Sequence, residues 1–156
     1  MKSIRVILTV LILAALAAGI LIFMKNVDTE KKPVIDSEGF IGKSEIVIKD
    51  SIMTPEALLA LGRLSDPQVS PDGKHILYGV SYTSVEENRS VRNLYICNLD
   101  GSDNQLLTKS GKSIANARWS ADGKQIVFLM GGQIYAMPVS LADGKWSHGE
   151  AVKVSE

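Results

Sequence analysis

Ten residues recur fifty positions apart without a gap. Val69–Tyr78 reads VSPDGKHILY and Trp119–Phe128 reads WSADGKQIVF, so Ser70, Asp72, Gly73 and Lys74 align with Ser120, Asp122, Gly123 and Lys124. A unit repeated at a fixed spacing folds as one supersecondary element that stacks on its copy. The unit also implies a geometry. Asp-Gly between apolar runs marks a hairpin turn, because glycine takes positive φ without steric cost and aspartate tolerates it. Pro71 suits the first central position of a type I turn, and the hydroxyls of Ser70 and Ser120 are placed to bond the turn backbone. Lys74 and Lys124 are expected to face water. Ligand binding by Asp72 and Asp122 is the weaker reading beside this scaffold role.

Two further Asp-Gly pairs, Asp100-Gly101 and Asp143-Gly144, punctuate the same region. Between the turns, strands are expected near Pro67–Ser70, His75–Tyr82, Val91–Asn98 and Gln105–Thr108. A second set is expected near Ala115–Trp119, Gln125–Met130, Gln133–Val139 and Ala151–Val154. Ile76, Tyr78 and Val80 share one face of their strand, as do Ile126, Phe128 and Met130; Leu77, Val127 and Leu129 take the opposite faces. Sheets apolar on both faces must be covered on both. The fold expected is therefore all-β: a partial β-propeller of about two four-stranded blades over residues 67–156. Trp119 is expected to pack between blades.

Residues 51–66 are expected to form a short helix leading into the blades. Thr54 is a good N-cap, Pro55 suits the first helical position, Glu56 complements the positive helix end, and Leu58, Leu59 and Leu61 supply an apolar stripe. Residues 26–50 are polar and irregular and are read as a linker, with a short strand at Ser44–Asp50. Residues 1–25 carry Lys2 and Arg5 ahead of an uncharged run, Val6–Met24. This is the pattern of a signal peptide or signal anchor, and the run is long enough to cross a membrane as a hydrophobic helix. The apolar stretch continues past the small-residue site Ala15-Leu16-Ala17, which favours an uncleaved anchor over a cleaved peptide. The rest of the chain is then exported, to the cell envelope or periplasm, membrane-anchored through residues 6–24 or secreted.

Composition excludes several functions. With 17 basic and 17 acidic residues the net charge is zero, which leaves no cationic excess for nucleic acid. Cys97 is single and sits in a strand pattern, as a small buried thiol. His75 and His148 have no Cys or His at ligand spacing, so no metal site and no cofactor is expected. Gly111-Lys112-Ser113 and Gly42-Lys43-Ser44 match the end of a phosphate loop, but Leu106 and Ser37 stand where its first glycine is required.

The stretch MTPEALLALGRLSDPQVSPDGKHILYGVSY, followed by NLYICNLDGSDNQLLT, resembles the start of the propeller domain in serine peptidases of the prolyl oligopeptidase family. The likeness is to the secreted dipeptidyl-peptidase and acylaminoacyl-peptidase branch and covers about Met53 to Glu156. In that family the propeller covers a C-terminal α/β-hydrolase domain with a Ser-Asp-His triad and a G-x-S-x-G elbow. No G-x-S-x-G occurs here, so no catalytic residue is carried over. The resemblance implies the N-terminal part of an exported serine exopeptidase that gates access of short peptides to a hydrolase domain absent from this chain. Closed propellers have about four to eight blades, so two are read as a fragment. The alternative is a non-catalytic TolB-like envelope propeller, which carries the same blade turn. Dipeptidyl peptidases of the family hold the substrate's free amine with propeller glutamates; Glu86 and Glu87, in the loop TSVEENRSVR, are the matching candidates, against the plainer reading of a solvated loop.

Overall fold

The computed structural model describes residues 37–45 and 52–155. Val6–Met24, with the expected N-terminal helix and membrane contact, lies outside them, as does most of the expected strand at Ser44–Asp50. Among the described residues no helix is long and apolar enough to cross a membrane.

Among the described residues one short helix, α1 (Pro55–Ala60), precedes nine strands. Thr54 caps it, its hydroxyl accepting from the Ala57 amide at 3.2 Å. The helix does not run to Asp66 as expected. Leu61 is already extended, and Arg63 starts a strand. Gly62 explains the stop: a Cβ there would press on Val80 and Tyr82, so the chain passes close against the sheet and pairs with it instead of coiling. The expected apolar stripe is not the buried face. Leu58 and Leu61 are exposed, and Ala57 is the buried helix residue.

The first sheet is antiparallel, in the order β1 (Arg63–Val69), β2 (His75–Ser84), β3 (Arg89–Asn98), β4 (Gln105–Leu106). The second follows the same plan, with β5 (Ile114–Trp119), β6 (Gln125–Met130) and β7 (Gln133–Ala142). Both β8 (Lys145–His148) and β9 (Val152–Lys153) pair with β7. β9 occupies the place of β4: Tyr95 pairs with Leu106, and Tyr135 with Lys153. β8 has no counterpart in the first sheet and is not expected from the sequence; it returns from the Asp143-Gly144 turn and extends β7 as a hairpin.

The main core lies between the sheets. Leu77, Leu94 and Ile96 of the first meet Ile126, Phe128, Met130 and Met137 of the second, all at most 3% exposed. Burying each such side chain contributes about 1.5–3 kcal/mol. Tyr78, Val80 and Cys97 form a smaller cluster on the other face of the first sheet. The expected division of faces is therefore observed. Equivalent residues point the same way in both sheets, and an aromatic pair recurs: Tyr78 stacks on Tyr95 at 5.9 Å, and Phe128 on Tyr135 at 5.9 Å. Burial pushes the Tyr95 phenol up to about 12.

Candidate functional site

The repeated turn is scaffold in both copies. Ser70 Oγ donates to Asp72 at 2.5 Å and accepts from the His75 amide at 2.9 Å; Asp72 also accepts from the Lys74 amide at 3.1 Å. Ser120, Asp122, Lys124 and Gln125 repeat these bonds at 2.6, 3.1 and 2.9 Å. Gly73 and Gly123 sit at φ 71° and 69°, as the turn requires. The serine hydroxyl and the amide hold each aspartate carboxyl below its usual range. Both carboxylates are thus occupied by their own turns.

The remaining candidate groups are also accounted for by packing. His75 is buried and meets Trp146 edge-on at 5.0 Å, and Trp119 packs on Trp146 at 5.6 Å. His148 is exposed at the end of β8, its ring against the Gly149 carbonyl. Cys97 is a buried free thiol, pushed up by burial and away from nucleophilic chemistry. Among the described residues no group of three or more His, Cys, Asp or Glu is placed to hold a metal.

Ser110–Ser113 connects the sheets; Ser110 is buried, whereas Lys112 and Ser113 are exposed. Asn93 Oδ1 accepts from the Ser110 amide at 2.7 Å and from Thr108 Oγ1 at 3.1 Å, while Asn93 Nδ2 donates to the Ser110 carbonyl at 2.9 Å. Ser110 Oγ accepts from the Lys112 amide at 3.0 Å, while the Gly111 carbonyl accepts from Arg89 and the Ser113 hydroxyl from the Arg92 amide.

A cleft lies beside the β2–β3 hairpin of the first sheet. The β6–β7 hairpin closes at Met130–Gln133 through Gly131-Gly132, whereas β2–β3 continues further, from Ser81–Arg92 to Ser84–Arg89. This projecting hairpin turns at 85–88, where Asn88 takes φ 48°. It forms one wall of a cleft of about 450 Å³. Phe40 and Ile41 form a second wall, and Glu56 and Ala60 of α1 a third. Glu86 and Glu87 both line this cleft, so the structure brings together the two residues singled out from sequence and adds Glu56 to them. Nothing in the sequence pattern linked Glu56 to the pair, because their proximity arises from α1 lying against β2. The charge is unequally balanced. Arg89 Nε donates to Glu87 at 2.6 Å; among the described residues neither Glu56 nor Glu86 forms an ion pair. Chemically, the cleft suits a small cation.

The wall at Phe40 and Ile41 belongs to the stretch read as a linker. Residues 37–45 lie against the first sheet: Ile41 is buried, and the Phe40 ring lies under the Lys109 ammonium at 5.5 Å.

No family profile matches the chain. A stretch of 81 residues, 52% of the chain, is 38% identical to dipeptidyl-peptidase 5 of Porphyromonas endodontalis. A stretch of 77 residues, 49% of the chain, is 40% identical to dipeptidyl-peptidase 5 of Porphyromonas gingivalis. These alignments cover only 12% and 11% of the two relatives, which are far longer than the part this chain matches. An acylaminoacyl peptidase structure from Pyrococcus horikoshii overlaps 64% of this chain and 14% of its own, with a TM-score of 0.46 and 22% identity.

Proposed function

We propose that the two sheets are the first two blades of a β-propeller in an exported serine exopeptidase of the prolyl oligopeptidase family, a reading supported by the 38% and 40% identity of about half the chain to two dipeptidyl-peptidase 5 proteins. In this reading the propeller gates the access of short peptides to an α/β-hydrolase domain outside this chain, and that domain performs acyl transfer. The acidic pair Glu86 and Glu87 supplies the carboxylate that holds the free amine of the substrate in the cleft. A carboxylate meeting an ammonium group in a half-enclosed site is a charge-assisted contact that fixes one end of a peptide.

One observation supports further blades above all. Leu94 and Ile96 are buried because the second sheet covers them, at 2% and 0% exposed. Their counterparts on the second sheet, by the shared register, are Ile134 and Ala136. Ile134 is 42% exposed, and Val152, paired with Ala136, is 45% exposed. A face built to the same apolar pattern, but uncovered, suits another sheet of the same kind.

The test is enzymatic. The reading frame, extended beyond residue 156, is expressed and assayed on dipeptidyl p-nitroanilides and on their N-acetylated forms. Hydrolysis of the free-amine substrate is expected, with KM raised at least tenfold in the Glu86→Gln/Glu87→Gln double variant and unchanged for the acetylated form. A continuation into more blades with no serine hydrolase activity would favour the non-catalytic envelope propeller instead.

A further inference from the structure

We propose that Arg89 is the positioning residue of the cleft: its guanidinium holds residues 37–45 in place as one wall and sequesters Glu87, leaving Glu86 to meet a cationic ligand. Two segments distant in sequence, and the neighbouring Glu87, converge on this one side chain. Nε donates to the Glu87 carboxylate at 2.6 Å, Nη1 to the Gly111 carbonyl at 3.2 Å, and Nη2 to the Gly39 carbonyl at 2.5 Å. A planar fork of fixed donors makes such a junction, which a lysine ammonium on a flexible stem does not reproduce.

The surroundings are shaped to this contact. Gly39 has φ 74°, a left-handed conformation favouring glycine, and a Cβ there would sit 2.7 Å from Arg89 Nη2. Gly111 is just as constrained, since a Cβ on it would overlap the Glu38 carbonyl oxygen. Residues 37–45 therefore seat on the 110–113 connection by close backbone approach, and Arg89 joins both to the hairpin. The Phe40 amide closes a local turn onto Ser37 at 3.1 Å, so the segment arrives at the junction pre-shaped. The two cleft glutamates are thereby made unequal. Glu87 is committed to Arg89, and its amide is held by Ser84 Oγ at 3.2 Å. Glu86 lines the same cleft and forms no ion pair among the described residues.

The wall is tested by native-state trypsin digestion of the full chain, following cleavage after Lys43, which lies within the segment. Cleavage there requires local release of 37–45. Arg89→Gln should speed it at least tenfold with the thermal midpoint of the sheets unchanged, and Arg89→Lys should fall between. Gly111→Ala, which leaves Arg89 intact, should release the segment similarly. Glu87→Gln should change the rate less than twofold, because the two carbonyl bonds need no carboxylate. An unaltered rate in Arg89→Gln overturns the proposal, as does unfolding of both sheets in Arg89→Gln and Arg89→Lys alike, which would make the residue merely structural.

The division of the glutamates rests on the amine-binding function proposed above and is read separately. NMR titration of the full chain with alanyl-alanine amide should show affinity falling at least tenfold in Glu86→Gln and less than twofold in Glu87→Gln. The N-acetyl form of the probe should not bind. Equal losses in the two variants overturn the division while leaving amine binding intact. A probe that binds neither in wild type nor in any variant overturns amine binding while leaving the wall untouched.

Discussion

Asp66 and Asn116 stand fifty residues apart in the chain and at the same place in their sheets. Each is a non-glycine residue in the left-handed region, at φ 53° and 51°, inside a bulge where β1 and β5 slip register against β2 and β6. Arg118, leaving the second bulge, donates to Asp66 in the first at 2.7 Å. Asparagine and aspartate tolerate this backbone because their short polar side chains bond locally; a β-branched residue does not.

Asn116 is exposed, so its backbone can be probed with little disturbance of packing. Asn116→Val should destabilise the fold by about 1–2 kcal/mol, whereas Asn116→Gly should lie within about 0.5 kcal/mol of wild type. Urea unfolding of the two variants checks this, and equal stability of the valine variant would remove the argument from strain.

Asn93 ties the end of the first sheet to the start of the second from a position 2% exposed. Asn93→Ala strips partners from the Thr108 hydroxyl and from both backbone groups of Ser110. A loss of about 2–4 kcal/mol is expected, since each stranded buried polar group costs roughly 1–3 kcal/mol with partial relief from water. Equilibrium denaturation gives the value.

Phe128 is 1% exposed at the centre of the core between the sheets. Phe128→Ala should cost about 3–5 kcal/mol, and Phe128→Leu distinctly less, because the cavity is smaller. Thermal unfolding orders the two.

The acid dependence of the repeated turn follows from its hydrogen bonds. Asp122 is held below its usual range in the folded state, first by the Ser120 hydroxyl and then by the Lys124 amide. Its contribution to stability is therefore present above the carboxyl value of the unfolded chain and is lost as pH falls through the lower folded value. Ser120→Ala should raise the Asp122 midpoint, seen by carboxyl carbon NMR titration, and move the acid edge of the stability curve to higher pH. Asp72 should respond to Ser70→Ala in the same sense.

Much of the sheet pattern is legible because it is local. The turn SPDGK carries its own bonding plan, and the alternation in ILY and IVF states which residues share a face. The second half of the repeat is hidden. Asn93 and Thr108 of the first sheet correspond to Gln133 and Ser155 of the second: Ser155 Oγ bonds Gln133 at 2.7 Å and accepts from the Ile134 amide, as Thr108 Oγ1 bonds Asn93 and accepts from the Leu94 amide. An ungapped offset misses this correspondence, because the β2–β3 hairpin is longer than β6–β7 and the β8 hairpin intervenes before β9. The bulges are equally silent, since an aspartate and an asparagine at one offset do not by themselves announce a positive φ.

The sequence by itself determined most of the strands, the Asp-Gly turns between them and the acidic loop holding Glu86 and Glu87, because hairpins are specified by neighbours a few residues apart. Only the tertiary structure decided where α1 stops, that residues 37–45 lie against the first sheet, and that Glu56, Glu86 and Glu87 line one cleft with Arg89 at its edge. Those outcomes depend on contacts between segments tens of residues apart, such as Gly39 with Arg89 and Gly62 with Val80. Such contacts are set by the shape of the finished sheet, which no short window of sequence contains.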